Sequence, residues 1–389
     1  MMIPNRLGLG IALAGFCLTA AAENLSPTFQ INGFATVGAA WVSKDYDATY
    51  LGSPYKSPLI KKGLTKDATF DYDNVLGIQI TYKVDEDFDL VGQLVSAGLD
   101  NYATRAEWAY LAWRHDDNLR FRAGRFAFPA YMYSENLRVG QAYPWARPPV
   151  ELYSAIPLSN IDGVDMLYRQ PLGDWSLDSQ LYGGVASTDY AKATNIHGLN
   201  LTLSQNAFSI HAGYTKAATE LNLGAVPAFG PGSPVASLGL IPNAHATFTD
   251  AGITYDDGSW FAAGEYGKLK LDAFTGGSEA GFASVGHYFG QWLPYVMWSK
   301  ANALNGAECL AQASPLIGPY SAGFCKLAQQ EQTSYSVGFR YDVTKHVSLK
   351  GEVDHVTGLN DTSGFFTSVN PANPPSSTNV FTFNVNASF

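Results

Sequence analysis

The chain has 389 residues, of which 46% are hydrophobic, 13% aromatic and 15% charged, with a formal net charge of −10. That acidic balance argues against a nucleic-acid binder, whose surface is basic. The length exceeds any disulfide-stapled miniprotein, and the apolar content excludes a disordered chain.

The first segment reads as an export signal. Arg6 is a short positive region, residues 7–19 are an apolar stretch, and Ala20-Ala21-Ala22 fits a small-x-small cleavage pattern. The expectation is a cleaved signal peptide over 1–22 and a mature chain over 23–389. Cys17 follows Phe16, where lipidation would need a small residue. Beyond this segment no apolar run reaches the ~20 residues of a spanning helix. A membrane β-barrel stays open, because its strands need only about 10 alternating residues.

Alternation with a period of two marks the strands. Leu76, Ile78, Ile80 and Tyr82 alternate with Gly77, Gln79, Thr81 and Lys83. Tyr335, Val337, Phe339 and Tyr341 alternate with Ser336, Gly338, Arg340 and Asp342. Phe381, Phe383, Val385, Ala387 and Phe389 alternate with Thr382, Asn384, Asn386 and Ser388. The pattern predicts sixteen strands over 29–42, 70–84, 87–98, 103–115, 118–126, 161–170, 173–187, 194–204, 207–217, 246–256, 259–271, 278–290, 292–303, 332–343, 346–357 and 379–389. Alternation is weakest over 278–303.

The connections alternate in length. Short turns follow the even strands, among them Asp85-Glu86-Asp87, His115-Asp116-Asp117-Asn118, Gln205-Asn206 and Asp257-Gly258. Long segments follow odd strands: 43–69, 127–160, 218–245, 304–331 and 358–378. A soluble sandwich has no reason to keep this rhythm. The expected fold is all-β: a transmembrane antiparallel barrel with short periplasmic turns and long external loops. Closure pairs every backbone N–H and C=O and leaves no edge in lipid. Sixteen strands also leave room for an aqueous channel.

The leader, the opening strand Phe29-Gln30-Ile31-Asn32-Gly33-Phe34, the sixteen strands and the terminal Phe389 resemble a Gram-negative general porin. The stretch from Gly124-Arg125-Phe126 to Tyr143-Pro144-Trp145-Ala146-Arg147-Pro148-Pro149-Val150 is similar to segments of porin-like proteins. The resemblance implies a homotrimer passing small hydrophilic solutes by diffusion in the outer membrane. It also implies that Phe389 is read by the outer-membrane assembly machinery, with outer-membrane lipid and lipopolysaccharide as surroundings. It further implies that the third long loop, 127–160, folds into the barrel and narrows it.

That loop carries Glu135, Arg138, Arg147 and Glu151, with five prolines and five Tyr or Trp residues. Eight of the ten arginines fall between 105 and 169, and no lysine lies between 84 and 191. Arg120 and Arg122 share one strand face, opposite Leu119, Phe121 and Ala123. Arg105 shares a face with Glu107, and Arg169 with Asp165. Charge on the lipid face at mid-bilayer costs about 2–4 kcal/mol, so these residues and Arg125 should face the lumen. Two readings stay open: a basic stripe facing Glu135 and Glu151 that filters dipolar solutes, or ion pairs that only pin the loop. Cys309 and Cys325 share one long segment of an exported chain, so a disulfide is expected.

The seven histidines have no zinc-type spacing, and no nucleophile elbow or phosphate loop occurs. No enzyme activity, cofactor or metal is expected. The leading function is a passive channel for small polar solutes and ions. Alternatives are a channel selective for acidic or sugar-like solutes, or a surface adhesin or receptor barrel.

Overall fold

The computed structural model describes residues 24–26, 28–43, 49–50, 53–54, 64, 66–156, 158–188, 191–222, 240–272, 276–304, positions between 309 and 325, 331–359, 364–365 and 376–389. The expected signal peptide lies outside them, as do parts of the long segments 43–69, 218–245, 304–331 and 358–378.

Sixteen strands form one antiparallel sheet closed on itself. They are β1 (Phe29–Val42), β2 (Val75–Lys83), β3 (Phe88–Ala97), β4 (Thr104–Arg114), β5 (Leu119–Ala127), β6 (Asn160–Leu172), β7 (Trp175–Ser187) and β8 (Ala191–Gln205). The second half comprises β9 (Phe208–Asn222), β10 (Leu240–Asp256), β11 (Trp260–Leu271), β12 (Gly277–His287), β13 (Trp292–Ala303), β14 (Gln332–Thr344), β15 (Val347–Thr357) and β16 (Ser377–Ser388). Closure runs from Val380 opposite Val42 to Ser388 opposite Phe34. A three-residue strand, Asn24–Ser26, pairs with the start of β1, and Thr49–Tyr50 pairs with Ser53–Pro54 in the first loop.

The outward positions are large and apolar where lipid surrounds them. Ile78, Leu94, Val164, Leu181, Val296 and Val337 are all exposed. Aromatics gather at both ends of this band: Tyr82, Trp113, Tyr168, Trp260 and Trp292 near the short turns, and Tyr214, Tyr266, Trp298 and Tyr335 toward the loops. Such girdles suit the two membrane interfaces, where an apolar ring meets water with its polar tip.

The short turns share one device. Asp85, Asp116 and Asp257 each accept backbone N–H bonds from the residues two and three positions ahead, at 2.7–2.9 Å. A short carboxylate in this place holds the chain in a tight reversal without glycine.

Two differences from the sequence reading have physical causes. The second strand begins at Val75, not at residue 70, because Asp73 turns away to bind a loop arginine. The weak alternation over 278–303 arises because the inward positions Phe282, Leu293, Tyr295 and Met297 are apolar. They pack against the third long loop instead of water. On the loop side, the connections 98–103, 188–190 and 272–276 are short, so the long–short rhythm is incomplete there.

Candidate functional site: the constriction inside the barrel

The loop between β5 and β6 folds into the lumen. It contains single helical turns at Ser134–Asn136, Gly140–Ala142 and Val150–Tyr153. Trp145 and Leu152 are fully buried, which an external loop would not achieve. The Trp145 ring stands edge-on to Phe282 at 5.0 Å, and its Nε1 donates to Ser284 Oγ at 2.9 Å. Tyr131 packs on Tyr153 at 4.8 Å and on Phe248 at 5.1 Å.

Polar pins fix the loop against β11 and β13–β16. Lys350 Nζ on β15 donates to the carbonyls of Gly140, Tyr143 and Trp145 at 2.5, 2.7 and 2.7 Å. An ammonium has three donors, and all three are used. Arg340 donates to the Gln141 carbonyl at 2.9 Å, and Asn384 to the Ala146 carbonyl at 2.9 Å. The Met132 N–H donates to Glu265 Oε1 at 2.7 Å, and the Tyr153 hydroxyl also donates to Glu265.

Arg147 and Glu151 belong to this pinned side, away from the basic stripe. Arg147 pairs bidentately with Asp73 at 2.9 and 2.8 Å and lies 3.7 Å from Asp354. Burial lowers the affinity of its guanidinium for the proton, but Asp73, Tyr72 and Asp354 more than offset this, so it stays charged. Glu151 accepts from Ser299 at 2.8 Å and from Gln332 at 2.6 Å, and also from Ser334. The expected face-off between Glu151 and the arginine stripe is therefore absent. The helical turn at Val150–Tyr153 turns this carboxylate toward the hydroxyls of β13 and β14.

The opposite edge of the loop faces β4–β7 and is open. Here the structure brings together Glu107, Arg122, Glu135, Arg138 and Asp165. Arg122 bonds Asp165 at 2.5–3.1 Å and reaches Glu135 on the loop at 2.8 Å. Arg138 on the loop lies 3.4 Å from Glu107 on β4. The remaining sequence candidates line the approaches. Arg105 pairs with Asp100 at 3.5 Å, Arg120 lies 3.9 Å from Asp89, Arg125 pairs with Asp162 at 2.7 Å, and Arg169 with Asp178 at 2.6 Å. Each arginine of the stripe thus has a carboxylate partner, mostly on the wall. The wall is a ladder of ion pairs and not a bare cationic face.

Cavities show which side of the loop is open. A cavity of about 530 Å³ on the loop side is lined by Arg105, Glu107, Arg125 and Arg138. One of about 550 Å³ on the turn side is lined by Arg114, Arg120, Glu135 and Arg169. The two share Tyr131 and Ser134 on the loop. Behind the loop, between Glu151, Ser299 and Asp354, only about 60 Å³ remains.

Two other sequence candidates lie away from the lumen. Cys309 and Cys325 form a disulfide, with Cα atoms 5.8 Å apart. Phe389 exchanges backbone bonds with Gly33 at 2.8 and 2.9 Å, so the last residue completes the barrel seam. The pinning residues Lys350, Glu265, Asn384 and Asp73 were not singled out by sequence reading. Lys350, Glu352 and Asp354 do occupy the inward set of β15, and three charges there signal a contact inside the barrel.

A family model described as Gram-negative porin matches residues 10–361. None of the curated proteins matches the chain. Among solved structures, the chain is similar to the outer-membrane-expressed OmpT of Vibrio cholerae, with TM-score 0.56 and 12% identity over 95% of this chain and 100% of that one. OmpF of Salmonella typhi gives TM-score 0.53 and 11% identity over 93% and 97%. The anion-selective porin from Comamonas acidovorans gives 0.52 and 12% over 93% and 99%.

Proposed function

Because the chain belongs to the Gram-negative porin family, we propose a specific solute route for this outer-membrane channel of passive diffusion. Solutes enter the loop-side cavity, pass Tyr131 and Ser134 between Arg122–Glu135 and Arg138–Glu107, and leave through the turn-side cavity. The observation that carries this route is the pair of large cavities meeting at the same two loop residues, against about 60 Å³ behind the loop. Passage needs no reaction and no cofactor.

The paired charges make the route suited to small polar solutes of either sign. Arginine and carboxylate side by side create a strong local field with little net charge. Water and dipolar solutes orient in such a field, and neither ion sign is shut out. Residues 1–22 direct export and are removed. The assembled unit is a homotrimer, in line with the trimer form solved for OmpT of Vibrio cholerae. Phe389, at the seam, serves as the assembly signal.

The test is single-channel recording in planar bilayers with a salt gradient and sugars of increasing size. The expected result is an open, ohmic channel whose current falls as the sugars approach the pore diameter. Arg120→Ala/Arg122→Ala should shift the reversal potential toward cation preference. Absence of conductance would return the barrel to an adhesin or receptor role.

A further inference from the structure

The barrel's outward face is not uniform at its loop end. Along one row across β8, β9, β10 and β11, His197 stands opposite Lys216, Lys216 opposite Thr247, and Thr247 opposite Lys270. Neighbouring strands lie about 4.8 Å apart, so this row spans about 15 Å. Lys268 lies two residues before Lys270 on the same face, and Lys300 projects from β13, opposite Gly281 on β12. His197, Lys216, Lys270 and Lys300 are exposed.

Four cationic lysines thus gather on one arc of a chain whose net charge is −10. Lys268 is paired with Glu279 at 3.1 Å. Lys216, Lys270 and Lys300 have no ion pair among the described residues. Elsewhere the rim differs. The outward positions of β16, β1 and β3 carry Phe381, Trp41 and Leu94, with no lysine or arginine.

The height of the arc is fixed by its neighbours. Tyr214 lies two residues before Lys216, Tyr266 two before Lys268, and Trp298 two before Lys300. These rings belong to the loop-end girdle, so the ammonium groups sit just above the apolar band. Lysine placed there lays its methylene stem along the hydrocarbon and holds its charge at headgroup level. An unpaired cation at that depth gains most from a fixed anion in the headgroup layer. The threonine hydroxyls at Thr247 and Thr249 add donors within the same arc. Only Glu279 and Glu220 bring carboxylates near it.

We propose that this arc of β8–β13 binds the phosphorylated headgroup of an outer-leaflet lipid. Lys216 and Lys270 hold one phosphate across the Thr247 position, and Lys268 and Lys300 engage a second further along the arc. The inference rests on the orientation read above, with the long loops outside and the barrel in the outer membrane. It does not rest on the solute route, because none of these lysines lines the lumen.

The purified mature protein is titrated with diphosphorylated lipid A, and retained lipid is counted by native mass spectrometry. Lys216→Gln/Lys270→Gln/Lys300→Gln should retain at least tenfold less lipid A than wild type, and the single Lys270→Gln about threefold less. Lys345→Gln, at a short turn, should retain as much as wild type. Dephosphorylated lipid A should bind the wild type at least tenfold more weakly. Equal retention by the triple variant, or by wild type with the dephosphorylated lipid, would overturn the proposal. Inorganic pyrophosphate binding as tightly as lipid A would overturn the choice of a lipid. Single-channel conductance of the triple variant should match wild type, which separates this result from any failure of the channel reading itself.

Discussion

Arg122 on β5 and Asp165 on β6 stand opposite each other in register and share three hydrogen bonds at 2.5–3.1 Å. Both side chains are nearly inaccessible to solvent, and Asp165 also accepts from Gln180 at 2.8 Å. The remaining NH1 of Arg122 reaches out to Glu135 on the loop. One guanidinium therefore joins the wall to the edge of the constriction.

Removing one partner of such a pair leaves the other charge buried without compensation. Arg122→Ala should cost about 3–5 kcal/mol of barrel stability, and Arg122→Ala/Asp165→Asn clearly less. Denaturant unfolding in lipid vesicles measures both. Equal losses in the single and double variants would show that the pair is not coupled.

Lys350 plays the matching part on the closed side. Lys350→Met leaves three loop carbonyls without their donor while keeping the aliphatic bulk. The expected outcome is a loosened loop: noisier open-channel current, and protease cleavage within 128–159 that the wild type resists. A quiet channel and an intact loop would mean that packing around Trp145 alone holds the segment.

The Cys309–Cys325 bridge closes a short loop, with a sequence separation of 16. Loops of this length gain about 3 kcal/mol from cross-linking in the chain-entropy account. Cys309→Ser/Cys325→Ser should lower stability by up to that amount and leave conductance unchanged, because the bridge lies away from the solute route. A changed conductance would place segment 304–331 in the pore.

Gly33 has no side chain because the Phe389 ring occupies that space. A Cβ at residue 33 would lie 2.2 Å from the ring. Gly33→Val should displace the terminal phenylalanine and lower the yield of folded barrel, read as the heat-modifiable band on gels. Normal assembly of Gly33→Val would remove the seam contact from the account.

Most of the barrel was legible because a lipid-facing strand carries its period in plain view. Leu76, Ile78, Ile80 and Tyr82 need only a two-residue repeat to be read. The inside of the barrel was less legible, since its partners come from distant parts of the chain. Arg122 and Glu135 could be suspected from face and loop position. The partner of Arg147 could not, because Asp73 lies in another loop, 74 residues away. Glu151 was misplaced for a related reason: a one-turn helix decides which way it points, and four residues carry little periodic signal. Over 278–303 the strand signal weakened because the inner wall is apolar where the loop covers it.

The route past Ser134 is tested most directly by one thiol. Ser134→Cys and Ser299→Cys are each treated with a bulky, charged thiol reagent during single-channel recording. Ser134 lies where the two large cavities meet, and Ser299 is buried behind the loop. The account predicts that modification at 134 cuts the current by at least half, from either side of the membrane, while 299 does not react. An unaffected current at 134 together with block at 299 would place the water path on the other side of the loop and contradict it.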